Sequence, residues 1–185
     1  MKRICKILMF LIFLCGCDSN TDFDRAMQLR TSLLNANGCS FEITLTAAFA
    51  ENTYTFEMAC TADREGNIEF EVLKPESISG ISGTISAEEG KLIFDDVALS
   101  FALQAEEMIS PICAPWVFVR AIRSGYVCYC VREEEFLRLT VDDSYEDDAL
   151  KLDIWVDSDE SPVQADIFEN NRRIFTLTIR NYHLL

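Results

Sequence analysis

Cys17 is the residue whose neighbours most clearly favour covalent chemistry. It follows Leu14 and the small Gly16 at the end of an unbroken apolar run, residues 7–14. Three basic side chains precede this run: Lys2, Arg3 and Lys6. A basic start and a short apolar stretch that ends in a small residue are the layout of an export signal, and the stretch is too short to cross a bilayer as a helix. The pattern predicts a leader that is removed beside a modifiable thiol.

Residues 14–17 read Leu-Cys-Gly-Cys and resemble the lipobox of bacterial lipoproteins. The resemblance implies that residues 1–16 are removed as a signal peptide. Cys17 then becomes the first residue and carries a thioether-linked diacylglyceryl group, which two acyl chains make a stable anchor. Residues 17–22 would be a lipidated polar tether at the extracytoplasmic face of the cell membrane. The alternatives are an uncleaved membrane helix and a chance cluster of leader cysteines.

The composition of the mature chain limits its partners. Removal of residues 1–16 from the 185 leaves 169, which suits one domain with a proper core. The leader holds three of the 16 Lys and Arg and none of the 31 Asp and Glu, so the mature charge is 13 minus 31, or −18. Such a charge repels nucleic acid and anionic lipid headgroups. A hydrophobic content of 49% argues against disorder.

Five further cysteines are the remaining thiols of the mature chain: Cys39, Cys60, Cys113, Cys128 and Cys130. Export permits disulfides but does not require them. In the hairpin predicted below, Phe49 opposes Tyr54 and Ile43 opposes Cys60, which places Cys39 about 13 Å too far along the strand for a disulfide with Cys60. Cys128 and Cys130 could form a redox pair, but no Lys or His adjoins them to lower a thiol pKa. We expect free, buried, hydrophobe-like cysteines.

Catalytic and metal-binding patterns are weak. The single histidine, His183, lies two residues from the end of the chain, in a tail that we expect to be frayed. The acidic loops, residues 142–148 and 157–160, lack the Gly and terminal Glu of an EF-hand, so solvated turns are favoured over calcium sites. We therefore predict a protein without enzymatic activity, metal or cofactor.

The periodicity of apolar residues predicts mainly strands. A helix over residues 22–37 carries an apolar stripe of Ala26, Leu29 and Leu33. A second helix starts at Ser110-Pro111 and ends near Gly125. Period-two patterns predict strands over residues 41–49, 54–60, 68–72, 81–85, 92–94, 97–103, 126–131, 136–141, 150–156, 163–168 and 174–181. The strand over 126–131 has no polar face, so we expect it to be covered on both sides, on one of them by the second helix.

The order of these elements resembles that of the LolA/LolB-like lipoprotein-carrier superfamily over about residues 23–182. An opening amphipathic helix feeds a Phe-rich hairpin, and a helix at Ser110-Pro111 interrupts two sets of antiparallel strands. The resemblance implies an α+β fold: a strongly curved antiparallel sheet, an incomplete barrel, whose concave side is covered by an N-terminal and a central helix. It rests on pattern and carries over no functional residue. Residues 23–185 would form this single domain.

A concave apolar face suggests binding of a lipid or another hydrophobic ligand. The candidate lining residues are aromatic or aliphatic: Phe41, Ile43, Tyr54, Phe56, Phe70, Phe94, Phe101 and Trp116. The same side chains would equally fill an ordinary core. A filled core would favour an envelope interaction or sensor lipoprotein that meets a protein partner through its acidic outer surface.

Replacement of Cys17 tests the anchor. Because the thioether is made on the Cys17 sulfur, Cys17→Ser should release the protein from the membrane or leave its leader uncut. Fractionation of cells and the intact mass of the protein measure both. A Cys17→Ser protein that is processed and still held in the membrane contradicts the lipoprotein prediction.

Overall fold

Alternating side chains on two long neighbouring strands build the middle of the molecule. In the computed structural model, which describes residues 21–49, 52–94, 97–102, 104–105, 108–146 and 149–185, Phe41, Ile43 and Leu45 are buried while Glu42 and Thr44 between them are half-exposed. One face of a strand is thus apolar and the other polar, as a period of two requires. The predicted leader and Cys17 lie outside the described residues.

The elements follow one another in a long meander. They are α1 (Thr21–Asn35), β1 (Cys39–Phe49), β2 (Asn52–Ala62), β3 (Ile68–Lys74), a 3₁₀ turn (Glu76–Ile78), β4 (Ser82–Ile85), β5 (Gly90–Phe94), β6 (Val97–Phe101), β7 (Gln104–Ala105), β8 (Met108–Ile109), a second 3₁₀ turn (Pro111–Cys113), α2 (Ala114–Ser124), β9 (Tyr126–Glu133), β10 (Phe136–Asp142), β11 (Lys151–Val156), β12 (Pro162–Glu169) and β13 (Arg172–Leu184).

Eleven strands form one antiparallel sheet in the order β6-β5-β4-β3-β2-β1-β13-β12-β11-β10-β9, and β7 pairs with β8. β6 and β9 are its two edges and do not pair with each other, so the sheet is open. α1 packs against β9 and α2, and α2 also packs against β10. Both helices bury their apolar residues in the core that the inner face of the sheet supplies. The predicted α+β fold, an open antiparallel sheet with an N-terminal and a central helix, is confirmed.

The described residues build one hydrophobic core. It extends from Ala26 in α1 to Ile179 in β13 and includes most of α2. No described helix is both long and apolar enough to span a membrane. Residues 21–185 contain every residue of this core.

The predicted hairpin register is wrong by two residues. Phe49 pairs with Asn52 rather than Tyr54, and Ile43 pairs with Met58 rather than Cys60. The polar Asn52 and Thr53 continue the strand because backbone pairing makes no demand on side chains that face solvent. Cys60 consequently opposes Phe41, and Cys39 opposes Ala62. No disulfide joins any two cysteines of the described residues.

The expectation that residues 126–131 are covered on both sides is also wrong. They belong to β9, an edge of the sheet, whose Val127 and Cys130 pack on the core. The other face is open, and Tyr129 on it is 72% exposed. An edge strand pairs on one side only, so its apolar composition does not require a second covering layer.

Arg30 in α1 fastens the two helices together. Its guanidinium donates hydrogen bonds to the carbonyl oxygens of Ile122 at 2.6 Å, Gly125 at 2.6 Å and Ala121 at 3.4 Å. These carbonyls belong to the last turn of α2 and the residue after it. The Ala121 carbonyl also accepts the Gly125 amide at 2.9 Å, and the Ile122 and Gly125 carbonyls lie beyond this bond, at the helix end where a cation is favoured. Arg30 thereby caps α2.

Arg30→Met should lower the free energy of unfolding by about 1.5–3 kcal/mol, since charge-assisted hydrogen bonds to buried carbonyls are lost while the apolar stem remains. Urea unfolding of the body without its leader, residues 21–185, measures the change. Arg25→Met is the matched control, because Arg25 makes one hydrogen bond, 3.3 Å long, to the Asp157 carbonyl. Equal losses for the two variants would contradict the capping role of Arg30.

Candidate functional site: an apolar cleft

A cleft of about 450 Å³ opens on the inner face of the sheet, over the strands from β1 to β6. It is lined by Leu45, Phe56, Met58, Val72, Ile78, Ile81, Leu92, Phe101, Ala102, Ser110, Pro111 and Ile112. Ser110 has the one polar side chain among them, and no lining side chain is charged. The cleft therefore offers dispersion contacts and almost no directional recognition.

Neighbouring strands supply the floor of the cleft. Leu45 of β1 opposes Phe56 of β2, and Met58 of β2 opposes Val72 of β3. Paired residues of antiparallel strands share one face, so these four side chains form an apolar layer. Leu45, Met58 and Val72 are buried and Phe56 is half-buried. The floor is thus a continuation of the core.

Two turns supply the walls. The turn after β3 is held on that strand by hydrogen bonds from the Val72 amide to the Ile81 carbonyl, 2.8 Å, and from the Gly80 amide to the Val72 carbonyl, 2.9 Å. These bonds place Ile78 and Ile81 at one side of the cleft. Pro111 and Ile112, in the 3₁₀ turn before α2, lie at another.

Volume and polarity define what the cleft can take. Ligand sites commonly measure about 300–1,000 Å³, and an apolar cavity of about 150 Å³ holds a benzene-sized molecule. This cleft has about three times the latter volume. Because a buried charge without a partner is strongly disfavoured, the part of a ligand that enters must be uncharged and largely aliphatic.

The structure scatters the eight candidate lining residues. Phe56 and Phe101 line the cleft. Phe41, Ile43 and Phe70 are buried in the core, Tyr54 and Phe94 are exposed, and Trp116 is buried in α2. Phe41 packs edge-on against Phe118, with ring centroids 5.7 Å apart, and Arg120 lies 4.8 Å over the Trp116 ring. A role of any of the eight in ligand binding stays a prediction.

Sequence reasoning missed most of the cleft for two different reasons. Leu45, Met58 and Val72 lie on the apolar face of predicted strands, and a correct register would have grouped them. Ile78 and Ile112 lie in turns 34 residues apart, and no periodicity connects them. The predicted lining residues are mainly aromatic, whereas aliphatic side chains predominate in the observed lining.

Three buried thiols are unsuited to redox chemistry. Burial raises the pKa of Cys39 to about 11 and that of Cys113 to about 12, and it raises the pKa of Cys60 still further. The Tyr182 hydroxyl, whose buried oxygen makes no conventional hydrogen bond in the described residues, faces the Cys39 thiol. A thiol that stays protonated at neutral pH is a poor nucleophile.

The expectation that the cysteines are buried is wrong for Cys128 and Cys130. Cys128 is exposed and Cys130 is half-buried. The Cys128 thiol donates a hydrogen bond to the Asp142 carboxylate, with 3.1 Å from Sγ to Oδ2. The pKa of the Cys128 thiol is raised, first by partial burial and second by this carboxylate. Its environment thus disfavours the thiolate in spite of the exposure.

The polar motifs serve local structure. Asp157 accepts hydrogen bonds from the amides of Asp159 and Ser161, both 2.9 Å, and Asp143 forms an ion pair with Arg120. Among the described residues, no three His, Cys, Asp or Glu side chains converge as a metal site. The expected frayed tail is wrong: His183 lies in β13 and pairs with Ser40, because the ends of β1 and β13 hold each other.

Comparisons with known proteins find likeness in structure alone. No protein family and no curated protein matches the sequence. An uncharacterized conserved protein from Thermus thermophilus is similar with a TM-score of 0.49 and 10% identity, over 86% of this chain and 87% of that one. A LolA superfamily protein from Nitrosomonas europaea is similar with a TM-score of 0.45 and 8% identity, over 86% of this chain and 93% of that one. The lipoprotein LppX from Mycobacterium tuberculosis is similar with a TM-score of 0.43 and 9% identity, over 88% of this chain and 93% of that one. With identities of 8–10% and TM-scores below 0.5, this likeness assigns neither a family nor a role to the chain.

Asp142→Asn should make Cys128 react at lower pH. Loss of the neighbouring negative charge removes one cause that holds the pKa of the thiol above its ordinary value, so more thiolate exists at a given pH. Alkylation by iodoacetamide across a pH series, with peptide mass mapping, measures the shift. Glu69→Gln, on distant β3, should leave the profile in place. An unchanged profile for Asp142→Asn contradicts the assigned contact.

Proposed function

We propose that this protein is an exported lipoprotein, anchored through Cys17, that binds the acyl chain of a lipid in the cleft between β1–β6 and the 110–112 turn. The cleft carries the proposal: it combines about 450 Å³ of space with a lining of eleven apolar side chains and one serine. Residues 1–16 are the leader, 17–22 the tether, and 23–185 the binding domain.

Energetics favour a long chain over a small apolar molecule. Each buried methylene contributes about 0.8 kcal/mol, so ten contribute about 8 kcal/mol. Association costs an estimated 4–15 kcal/mol in lost freedom. A short ligand cannot offset that cost in a site with almost no hydrogen-bonding groups, whereas a long acyl chain can.

The lining argues for binding rather than catalysis. Ser110 is the one side chain in it that could act as a nucleophile, and a serine nucleophile needs an adjacent base. No other lining residue carries a titratable group. We therefore place no enzymatic step in the cleft.

The acidic surface suits a body held at the extracytoplasmic face of a membrane. The mature charge of −18 repels anionic headgroups, so the anchor holds the body close while its charge resists adsorption. Acyl ligands would then enter the cleft without the body lying flat on the bilayer.

Envelope protein binding is a second candidate, favoured by the open edge strand β9. Its backbone has an unpaired side in the sheet, and Tyr126, Tyr129 and Val131 are exposed on it. Edge strands can add a strand from a partner. This function would use the β9 edge of the sheet, which is at the other end of the strand order from β6, and would leave the cleft empty.

Native mass spectrometry of the body without its leader, residues 21–185 expressed in bacteria, separates the two functions when organic extraction and lipid identification follow. A copurifying acyl lipid near one per chain supports lipid binding and names the lipid class. A clean apo mass, with no uptake of added fatty acid or phospholipid, contradicts it and favours the protein-binding function.

Leu92→Trp should weaken acyl binding about tenfold or more, because the indole fills space that the ligand needs. Displacement of a fluorescent fatty acid from residues 21–185 measures the affinity. Ile93→Trp is the matched control, since Ile93 is the next residue of β5 and faces the outer side of the sheet, away from the cleft. Similar affinities for the two variants would show that the ligand binds elsewhere.

A further inference from the structure

An exposed apolar strip continues from the cleft along the β5–β6 hairpin. Three pairs lie on the inner face: Gly90 with Phe101, Leu92 with Leu99, and Phe94 with Val97. Leu92 and Phe101 line the cleft. Leu99, Phe94 and Val97, which we call the hairpin strip, are 62%, 51% and 58% exposed. The cleft and the strip are thus neighbouring parts of one apolar face.

The Phe101 ring lies over Gly90. A Cβ atom at position 90 would be 2.2 Å from Cζ of this ring and 2.5 Å from Cε1, far closer than atoms can approach. The backbone of Gly90 is not in the left-handed region, so its conformation does not call for glycine. Glycine is needed here for space, and that space holds the aromatic ring.

The position of this ring limits the cleft. β6 is the free edge of the sheet, and Phe101 is the lining residue that β6 contributes. The ring therefore forms the wall between the cleft and the open edge. Toward the tip of the hairpin the same face continues as the hairpin strip, which presents apolar surface to water.

We propose that Phe101, seated on Gly90, sets the length of the acyl chain that the cleft accepts. This inference rests on the proposed acyl-binding function. Within the cleft each added methylene tightens binding about fourfold. Once the chain reaches the ring, further methylenes remain in water and add little. Removal of the ring opens the cleft toward the free edge of β6, where a longer chain buries further methylenes beside Leu99, the next inward-facing residue of that strand.

The test is a chain-length profile on residues 21–185. Saturated fatty acids from octanoate to stearate, each below its micelle concentration, compete with a fluorescent fatty acid. The wild-type affinity should rise about fourfold per methylene and then level off. Phe101→Ala should level off at a longer chain, and Phe101→Leu, which keeps an apolar wall, at an intermediate length.

Gly90→Ala provides a second and independent variant. The added methyl group expels the ring from its seat while Phe101 stays in the sequence, so the chain length at which affinity levels off should move from the wild-type value. Ser100→Ala is the control, because Ser100 is on the outer face of β6, opposite Lys91. Its profile should match the wild type. Circular dichroism confirms that each variant is folded.

The outcomes separate the inference from the proposed function. Binding with a plateau that shifts in Phe101→Ala and in Gly90→Ala supports the role of Phe101. Binding with the same plateau in all folded variants overturns it and leaves the cleft as the site. If the wild type binds no fatty acid of any length, the acyl-binding function itself is wrong.

Discussion

The architecture depends on one mismatch: an eleven-stranded sheet presents more apolar inner face than two short helices can cover. α1 has 15 residues and α2 has 11, and both pack at the β9–β10 side and toward the middle of the sheet. Phe118 of α2 reaches Phe41 of β1, and Arg123 reaches the turn between β2 and β3 with a 2.6 Å hydrogen bond to the Arg64 carbonyl. Beyond this line the sheet has no described helix over it. The core is filled where helices lie, and the cleft begins where they end.

Pairing between β1 and β13 makes such a wide sheet stable. Each half of the sheet is a chain of hairpins between sequence neighbours, which form through local contacts. The β1–β13 ladder joins the halves along most of β1, and beside it the Asn37 amide donates to the Leu185 carbonyl at 2.9 Å. Because this ladder lies inside the sheet, the two edge strands β6 and β9 do not have to pair with each other to hold the halves together. The two edges can therefore differ, with a tyrosine-bearing β9 at one side and the apolar hairpin of β5 and β6 at the other.

Local pattern was enough to predict the elements, and tertiary pairing was needed for the site. The alternation at residues 41–49 and the stripe of Ala26, Leu29 and Leu33 gave strands and a helix close to those observed. Register could not be obtained in the same way, because Asn52 and Thr53 look like turn residues until the backbone partner at Phe49 is known. The same limit applies to the cleft. Ile78 and Ile112 are apolar residues in short turns, and only the packing of those turns brings them into one lining.

A site with almost no polar groups must obtain specificity from shape. Hydrogen-bonding sites discriminate ligands by leaving a buried group unpaired when the wrong one binds. An apolar wall imposes no such penalty on a wrong ligand, and it discriminates only modestly between ligands that differ by one methylene. What the wall can determine is where the space ends. In the proposed site that boundary is the Phe101 ring, which lies over Gly90, where there is no side chain to displace it. The backbone conformation of Gly90 is open to any residue, so under that proposal its missing side chain would limit the ligand as directly as a side chain in contact with it.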